Sequence, residues 1–220
     1  MLQYLSQFVS EHKKRFVEQV LRYRTRYVTV VLEDIYQSQN ASAVLRTCEC
    51  MGLQDVHVIE QNSKYELNRR VLKGAHKWLS LYRYRDKNID NTKTCFAALR
   101  NNGYTVCVTD PAPDGTSIYD LDVAEGKIAL VFGNELRGVS SHALAHADRK
   151  IRIPMYGFTE SLNISVSVAI CLNTLIGKLH SSGLDYSLNQ YEQDAIKLDW
   201  YRKIVRRSEL IEREFLRAIE

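Results

Sequence analysis

Three stretches of this chain gather polar side chains among glycines and apolar runs, and each has residue types suited to holding or transforming a ligand. The first is Asn40-Ala-Ser-Ala-Val-Leu-Arg46, which follows a strand-like run and a short polar loop. Asn40 can cap the helix that begins there. Arg46 falls beside Val44, Leu45 and Cys48, and an arginine near a buried face needs an anion, either a structural carboxylate or a bound phosphate. The second stretch is Leu130-Val-Phe-Gly-Asn-Glu-Leu-Arg-Gly138, a strand running into a loop whose two glycines permit tight turns and close approach of the backbone to a ligand. Glu135 then stands at the carboxyl end of that strand, where a carboxylate is better placed for chemistry than for packing. The third runs from Ile153 to Ser167, where a strand ends at Pro154, a loop holds Gly157, and an apolar helix follows. Either Ser161 or Asn163 caps that helix, whose free N–H groups and positive dipole end face the loop.

The elements that must position these stretches alternate. Nearly continuous apolar, β-branched runs at Tyr27–Leu32, Val56–Ile59, Tyr104–Thr109, Ile128–Phe132 and Ile151–Ile153 read as strands covered on both faces. Helical spacing marks Ala41–Met51, Thr94–Asn101, Ser140–Ala147 and Asn163–Leu179, with Gly52, Gly103 and Gly183 placed to end helices in left-handed conformation. Such alternation predicts an α/β fold, a mainly parallel sheet with helices on both faces. The first and second polar stretches, and the third, then lie where open α/β sheets collect ligands. The strands before Glu135 and before Asn163 are expected to be neighbours in the sheet, which would bring those residues together at the mouth of one pocket. Outside residues 27–183, an amphipathic helix is expected over Tyr4–Arg24, and another in residues 184–220 from Ile196, Trp200, Ile204, Leu210 and Ile211. These are the helical extensions, residues 1–26 and 184–220, of one central domain.

Charge is uneven. The net value is +4, yet residues 1–26 hold six Lys/Arg against two acidic residues, and residues 64–87 hold eight against two. Two basic fields interleaved with Tyr23, Trp78, Tyr82 and Tyr84 fit a phosphate-rich partner, although charged faces exposed only to water have the same composition. The odd number of cysteines, five, suits reduced thiols, and Cys48-Glu-Cys50 lacks the further ligands of a zinc site. The N-terminus does not read as a signal peptide, and no apolar stretch is expected to span a bilayer. Glycine patterns for dinucleotides or nucleoside triphosphates, G-x-G-x-x-G after the first strand or G-x-x-x-x-G-K-[ST], are absent.

In this order and spacing, the N-x-x-x-x-x-R, L-V-F-G-N-E-x-x-G and I-P-M-x-G-x-x-x-S-L-N-x-S-V segments resemble the three motifs of the SpoU/TrmH branch of the SPOUT RNA 2'-O-ribose methyltransferases. The resemblance covers roughly residues 27–180, and the flanking segment L-D-W-Y-R-K-I-V-R-R-S-E is similar to the members that act on guanosine 18 of tRNA. It implies a C-terminal deep trefoil knot in the core, S-adenosyl-L-methionine as methyl donor, no metal, and a cytoplasmic homodimer whose site straddles the subunit interface. It also implies donor contacts around Thr109, Phe132, Gly133, Gly138, Ile153 and Leu162, with Arg46, Asn40, Glu135, Ser161 and Asn163 as the catalytic set. A guanidinium offers donors and no acceptor, so Arg46 is better suited to clamping a phosphate than to acting as a base. Lys13, Lys14, Arg15, Arg22, Arg24, Arg202, Lys203, Arg206 and Arg207 are the candidate tRNA contacts. Two rival readings are a ribosomal-RNA enzyme of the same branch, usually carrying a separate N-terminal RNA-binding domain, and a non-catalytic RNA-binding relative that has lost a site residue.

Overall fold

The computed structural model describes residues 1–218. It divides into two compact units, one of residues 26–186 and one in which residues 1–25 join the segment from 187 onward. Nine α-helices lie among the described residues: α1 (Leu2–Ser6), α2 (Glu11–Leu21), α3 (Ser38–Cys50), α4 (Arg69–Leu72), α5 (Asn91–Asn101), α6 (Ser141–His146), α7 (Ile164–Ser182), α8 (Gln190–Ile204) and α9 (Ser208–Arg217). The strands are β1 (Val28–Glu33), β2 (Asp55–Ile59), β3 (Ser80–Tyr84), β4 (Tyr104–Thr109), β5 (Thr116–Ser117), β6 (Lys127–Phe132) and β7 (Arg149–Arg152).

The larger unit is a single sheet in the order β3-β2-β1-β6-β4-β7-β5, with every pairing parallel. Side chains alternate across it. Val28, Val30 and Leu32 of β1 pack with Val44 and Leu45 of α3 and Val168, Leu172 and Leu175 of α7, whereas Val31 points to the other face, among Phe96 and Leu99 of α5 and Ala143 of α6. A strand buried on both sides has no solvent-facing side, which is why the central runs are nearly continuous in apolar residues, with the few polar ones such as Thr29 and His57 hydrogen-bonded.

Four expectations need correction. Strands β6 and β7 are not neighbours, because β4 pairs with both and lies between them. Edge strand β3 carries no continuous apolar run, since Tyr82 and Arg83 are exposed, and so left no strand signal; β5 is only two residues long. Helix α7 does have the length and apolarity to cross a membrane, but Val168, Cys171, Leu172, Leu175 and Leu179 are fully buried against the sheet. Each terminal helix is in fact two. Ser10 caps α2, its side chain accepting from the Lys13 N–H, and Arg207, at φ +58, breaks α8 from α9.

In the smaller unit α1 packs on α8 and α9 around Leu5, Ile196 and Trp200. Arg24 belongs to this interior: it is 1% exposed and its guanidinium lies 5.3 Å from the Trp200 ring centroid, so it does not present its charge at the surface. Lys14 pairs with Glu11, Arg202 with Glu212 and Lys203 with Asp199. Lys13, Arg15, Arg22, Arg206 and Arg207 are exposed and have no acidic partner among the described residues.

Candidate functional site

The loops that leave the carboxyl ends of β4, β6 and β7 meet the first turns of α3 and α7 around a cavity of about 510 Å³. Thr109, Phe132, Gly133, Gly138, Ile153 and Leu162 all line it, as do Asn40, Glu135, Ser161 and Asn163. Proximity of Glu135 and Asn163 therefore does not come from adjacent strands. It comes from Asn40, which bonds to both.

The orientation of this trio follows from one charge. A carboxylate only accepts hydrogen bonds, so the nitrogen end of the Asn40 amide must face Glu135; Asn40 Nδ2 donates to Glu135 Oε1 at 2.9 Å. Asn40 Oδ1 is then left to accept from Asn163 Nδ2, at 3.1 Å. Asn163 Oδ1 in turn accepts from the Ser165 N–H at 2.9 Å, so Asn163 rather than Ser161 caps α7. Asn40 does not cap α3, which begins after Gln37. The Glu135 carboxylate also takes the Tyr36 and Gln37 N–H groups, at 3.0 and 3.2 Å, and so ties the loop after β1 to the loop after β6. Burial pushes its carboxyl upward, but the Asn40 amide and these backbone N–H groups outweigh burial and hold it below the usual carboxylate range.

The 134–138 loop closes on itself. Asn134 and Gly138 exchange both backbone hydrogen bonds at 2.8 Å, and Gly138 adopts φ +68. A Cβ at Gly133 would lie 2.2 Å from the Gly138 carbonyl carbon, so only glycine permits the crossing. Asn134 is a positioning residue that the sequence reading missed. Its Nδ2 donates to the Asp34 carbonyl at 2.7 Å, and its Oδ1 accepts from the Leu136 and Arg137 N–H groups. An Asn followed by a Glu in a glycine-flanked loop was the available signal, and only the Glu was read.

Arg46 stands apart. It is exposed, has no ion-pair partner among the described residues, and does not line the cavity. Six residues of helix carry it about 9 Å along and roughly 120° around α3 from Asn40. The expected anion beside a buried face is thus not a carboxylate among the described residues.

A model of the SpoU rRNA Methylase family matches residues 27–173, from β1 into α7. The chain belongs to this family. Among its relatives, the tRNA (guanosine(18)-2'-O)-methyltransferase of Borreliella burgdorferi is 44% identical over 208 residues, which cover 94% of this chain and 93% of that one. The enzyme of the same name from Thermus thermophilus is 32% identical over 89% of this chain and 95% of its own length. A crystal structure described as the Aquifex aeolicus TrmH/SpoU tRNA modifying enzyme superposes with a TM-score of 0.78 at 28% identity, covering 90% of this chain and 98% of that chain. Within the SpoU framework, the cavity's size suits a nucleoside-bearing methyl donor, since ligand sites commonly span about 300–1,000 Å³. Its wall includes apolar Phe132, Ile151, Ile153 and Leu162 and polar Asp110, Asn134 and Ser161. No cluster of His, Cys, Asp or Glu able to hold a metal occurs among the described residues.

Proposed function

We propose that this protein transfers a methyl group from S-adenosyl-L-methionine to the ribose 2'-hydroxyl of guanosine 18 in tRNA. The observation that carries the reading is the Glu135–Asn40–Asn163 chain at the rim of a donor-sized cavity, in a chain related over nearly its full length to enzymes named for that reaction. When bound in the cavity, the donor supplies an electrophilic methyl on a sulfonium. Gly133 and Gly138 allow the backbone to close around it, and Phe132, Ile153 and Leu162 keep water from its apolar parts. Asn40 and Asn163, fixed by Glu135 and by the start of α7, offer preset amide dipoles to the ribose. Ser161, exposed at the same rim, is a further hydrogen-bonding group for donor or ribose. Arg46 clamps the phosphate next to the target ribose with its planar fork and stabilises the oxygen as it loses its proton to phosphate or water.

We further propose that two chains compose each site, with Arg46 supplied across a homodimer interface. Supporting this are the separation of Arg46 from the cavity of its own chain and the near-complete exposure of Leu136, Tyr156 and Phe158 in the loops around it. The deep trefoil knot belongs to the same reading; its support is that β7 lies beyond β4 while the chain returns through α7 to pack on α3. Lys13, Arg15, Arg22, Arg206 and Arg207 are the terminal cations left to meet the tRNA backbone, in the cytoplasm where tRNA is processed. The test is to incubate the protein with isotope-labelled donor and a tRNA transcript, then locate the alkali-resistant linkage. Label after nucleotide 18 that disappears from a transcript with adenosine there supports the reading. Label on a base, or only on ribosomal RNA fragments, overturns it.

A further inference from the structure

The second basic field, residues 64–87, has no part in the reaction above; Arg85 and Lys87 lie exposed beyond Arg83, and the structure sorts the other six cations into two groups. Lys64 lies 3.4 Å from Glu66, and Arg83 pairs with Glu60 at 2.7 Å while resting over the Tyr65 ring. Arg69, Arg70, Lys73 and Lys77 are exposed and meet no carboxylate among the described residues. These four charges fall within α4, the turn at Lys73–Gly74 and the 3-10 turn at Ala75–Trp78, a span with no acidic residue. Such a span raises the local concentration of anions at its surface.

It is nevertheless firmly placed. Leu72, Ala75 and Leu79 are buried on its inner side, and left-handed Lys73 and Gly74, at φ 48 and 86, turn the chain between the two short helices. At its start, the Asn68 N–H donates to Ser42 Oγ on α3 at 2.7 Å. Ser42 and Arg46 are four residues apart, hence neighbours on the helix surface. The unpaired charges therefore begin beside Ser42, about one helical turn from Arg46, on a segment that packs along α3.

We propose that Arg69, Arg70, Lys73 and Lys77 form a track for consecutive phosphates of the RNA strand flanking the methylated nucleotide. The inference rests on Arg46 holding a substrate phosphate. Four cations on one firmly placed segment, with no acidic residue in 69–78, favour a polyanionic backbone over a single small anion.

Two double variants, Arg69→Gln with Arg70→Gln and Lys73→Asn with Lys77→Gln, test it separately and combined; Asn tolerates the left-handed position. RNA affinity is measured against salt, using whichever RNA the wild type methylates. Each lost contact should flatten the log–log slope by about 0.7–0.9, and the combined variant should raise KM for RNA at least tenfold. Donor affinity and melting temperature should hold, and Arg69→Lys with Arg70→Lys should keep the wild-type slope. Unchanged slope and KM in the combined variant would overturn the track, as would a loss of donor binding that accompanies every change in RNA affinity. If the wild type methylates only ribosomal RNA, the tRNA assignment falls, while the slopes on that RNA still decide the track.

Discussion

Asn40 and Glu135, 95 positions apart, are joined by a 2.9 Å hydrogen bond that orients the Asn40 amide and, through it, the bond to Asn163. Because the bonds Glu135 receives hold its carboxyl below the ordinary range, the interaction is fully present above that range and is lost as pH falls through the lowered value. Donor affinity of the wild type should therefore stay flat from neutral pH down to about pH 4, where free carboxylates titrate. Asn40→Ala removes the side-chain donor, so the loss should begin at higher pH, at a cost to stability of about 1 kcal/mol. Superimposable pH profiles for the two proteins would show that the bond does not control the site.

Gly133→Ala isolates the role of the 134–138 loop. The added methyl meets backbone at 2.2 Å, which no rotamer change relieves. The loop must move, at a cost of roughly 1–3 kcal/mol for overpacking, and calorimetric donor binding should weaken at least tenfold. Donor affinity equal to wild type would place the donor elsewhere than against this loop.

The polar stretches were legible as a site because their glycines and amides follow buried strands, and the parallel sheet was legible because its central strands are apolar on both faces. The strand order was not. Nothing in β6 or β7 says that β4 will pair with both, and so Glu135 and Asn163 were brought together on a mistaken ground. Their actual link, Asn40, was visible as a residue but not as a bridge. Arg46 misled for a different reason: Val44, Leu45 and Cys48 are indeed buried, but one residue's rotation on a helix is enough to leave Arg46 in water. Arg24 misled in the opposite sense, as a charge counted with an exposed field yet buried over Trp200.

Neutralising Lys13, Arg15, Arg22, Arg206 and Arg207 to Gln should weaken tRNA binding and flatten its salt dependence, by about 0.7–0.9 in slope per phosphate contact. The cavity should bind donor as before. Arg202→Gln, by contrast, removes a cation already paired with Glu212 and should change the slope little. Equal slopes for the five-fold variant and the wild type would mean that these charges face only water, and the assignment to tRNA would lose the support of the terminal helices.

Arg46 tests the proposed site most directly. Arg46→Ala should abolish methyl transfer while leaving melting temperature and donor affinity near wild type, because the side chain is exposed and lines no part of the donor cavity. Arg46→Lys should fail as well, since a point charge cannot reproduce a two-pronged grip on phosphate. Composition of the site from two chains gives a sharper measurement. In heterodimers of Arg46→Ala with Gly133→Ala, one of the two sites draws its arginine from the Gly133→Ala chain and its cavity from the Arg46→Ala chain, and is intact. At a donor concentration well below what Gly133→Ala chains need, verified mixed dimers should then recover up to half the wild-type rate, although the Arg46→Ala homodimer is inactive and the Gly133→Ala homodimer is strongly impaired. Recovery cannot occur if each subunit uses its own arginine, because every site in the mixed dimer would then carry one of the two defects.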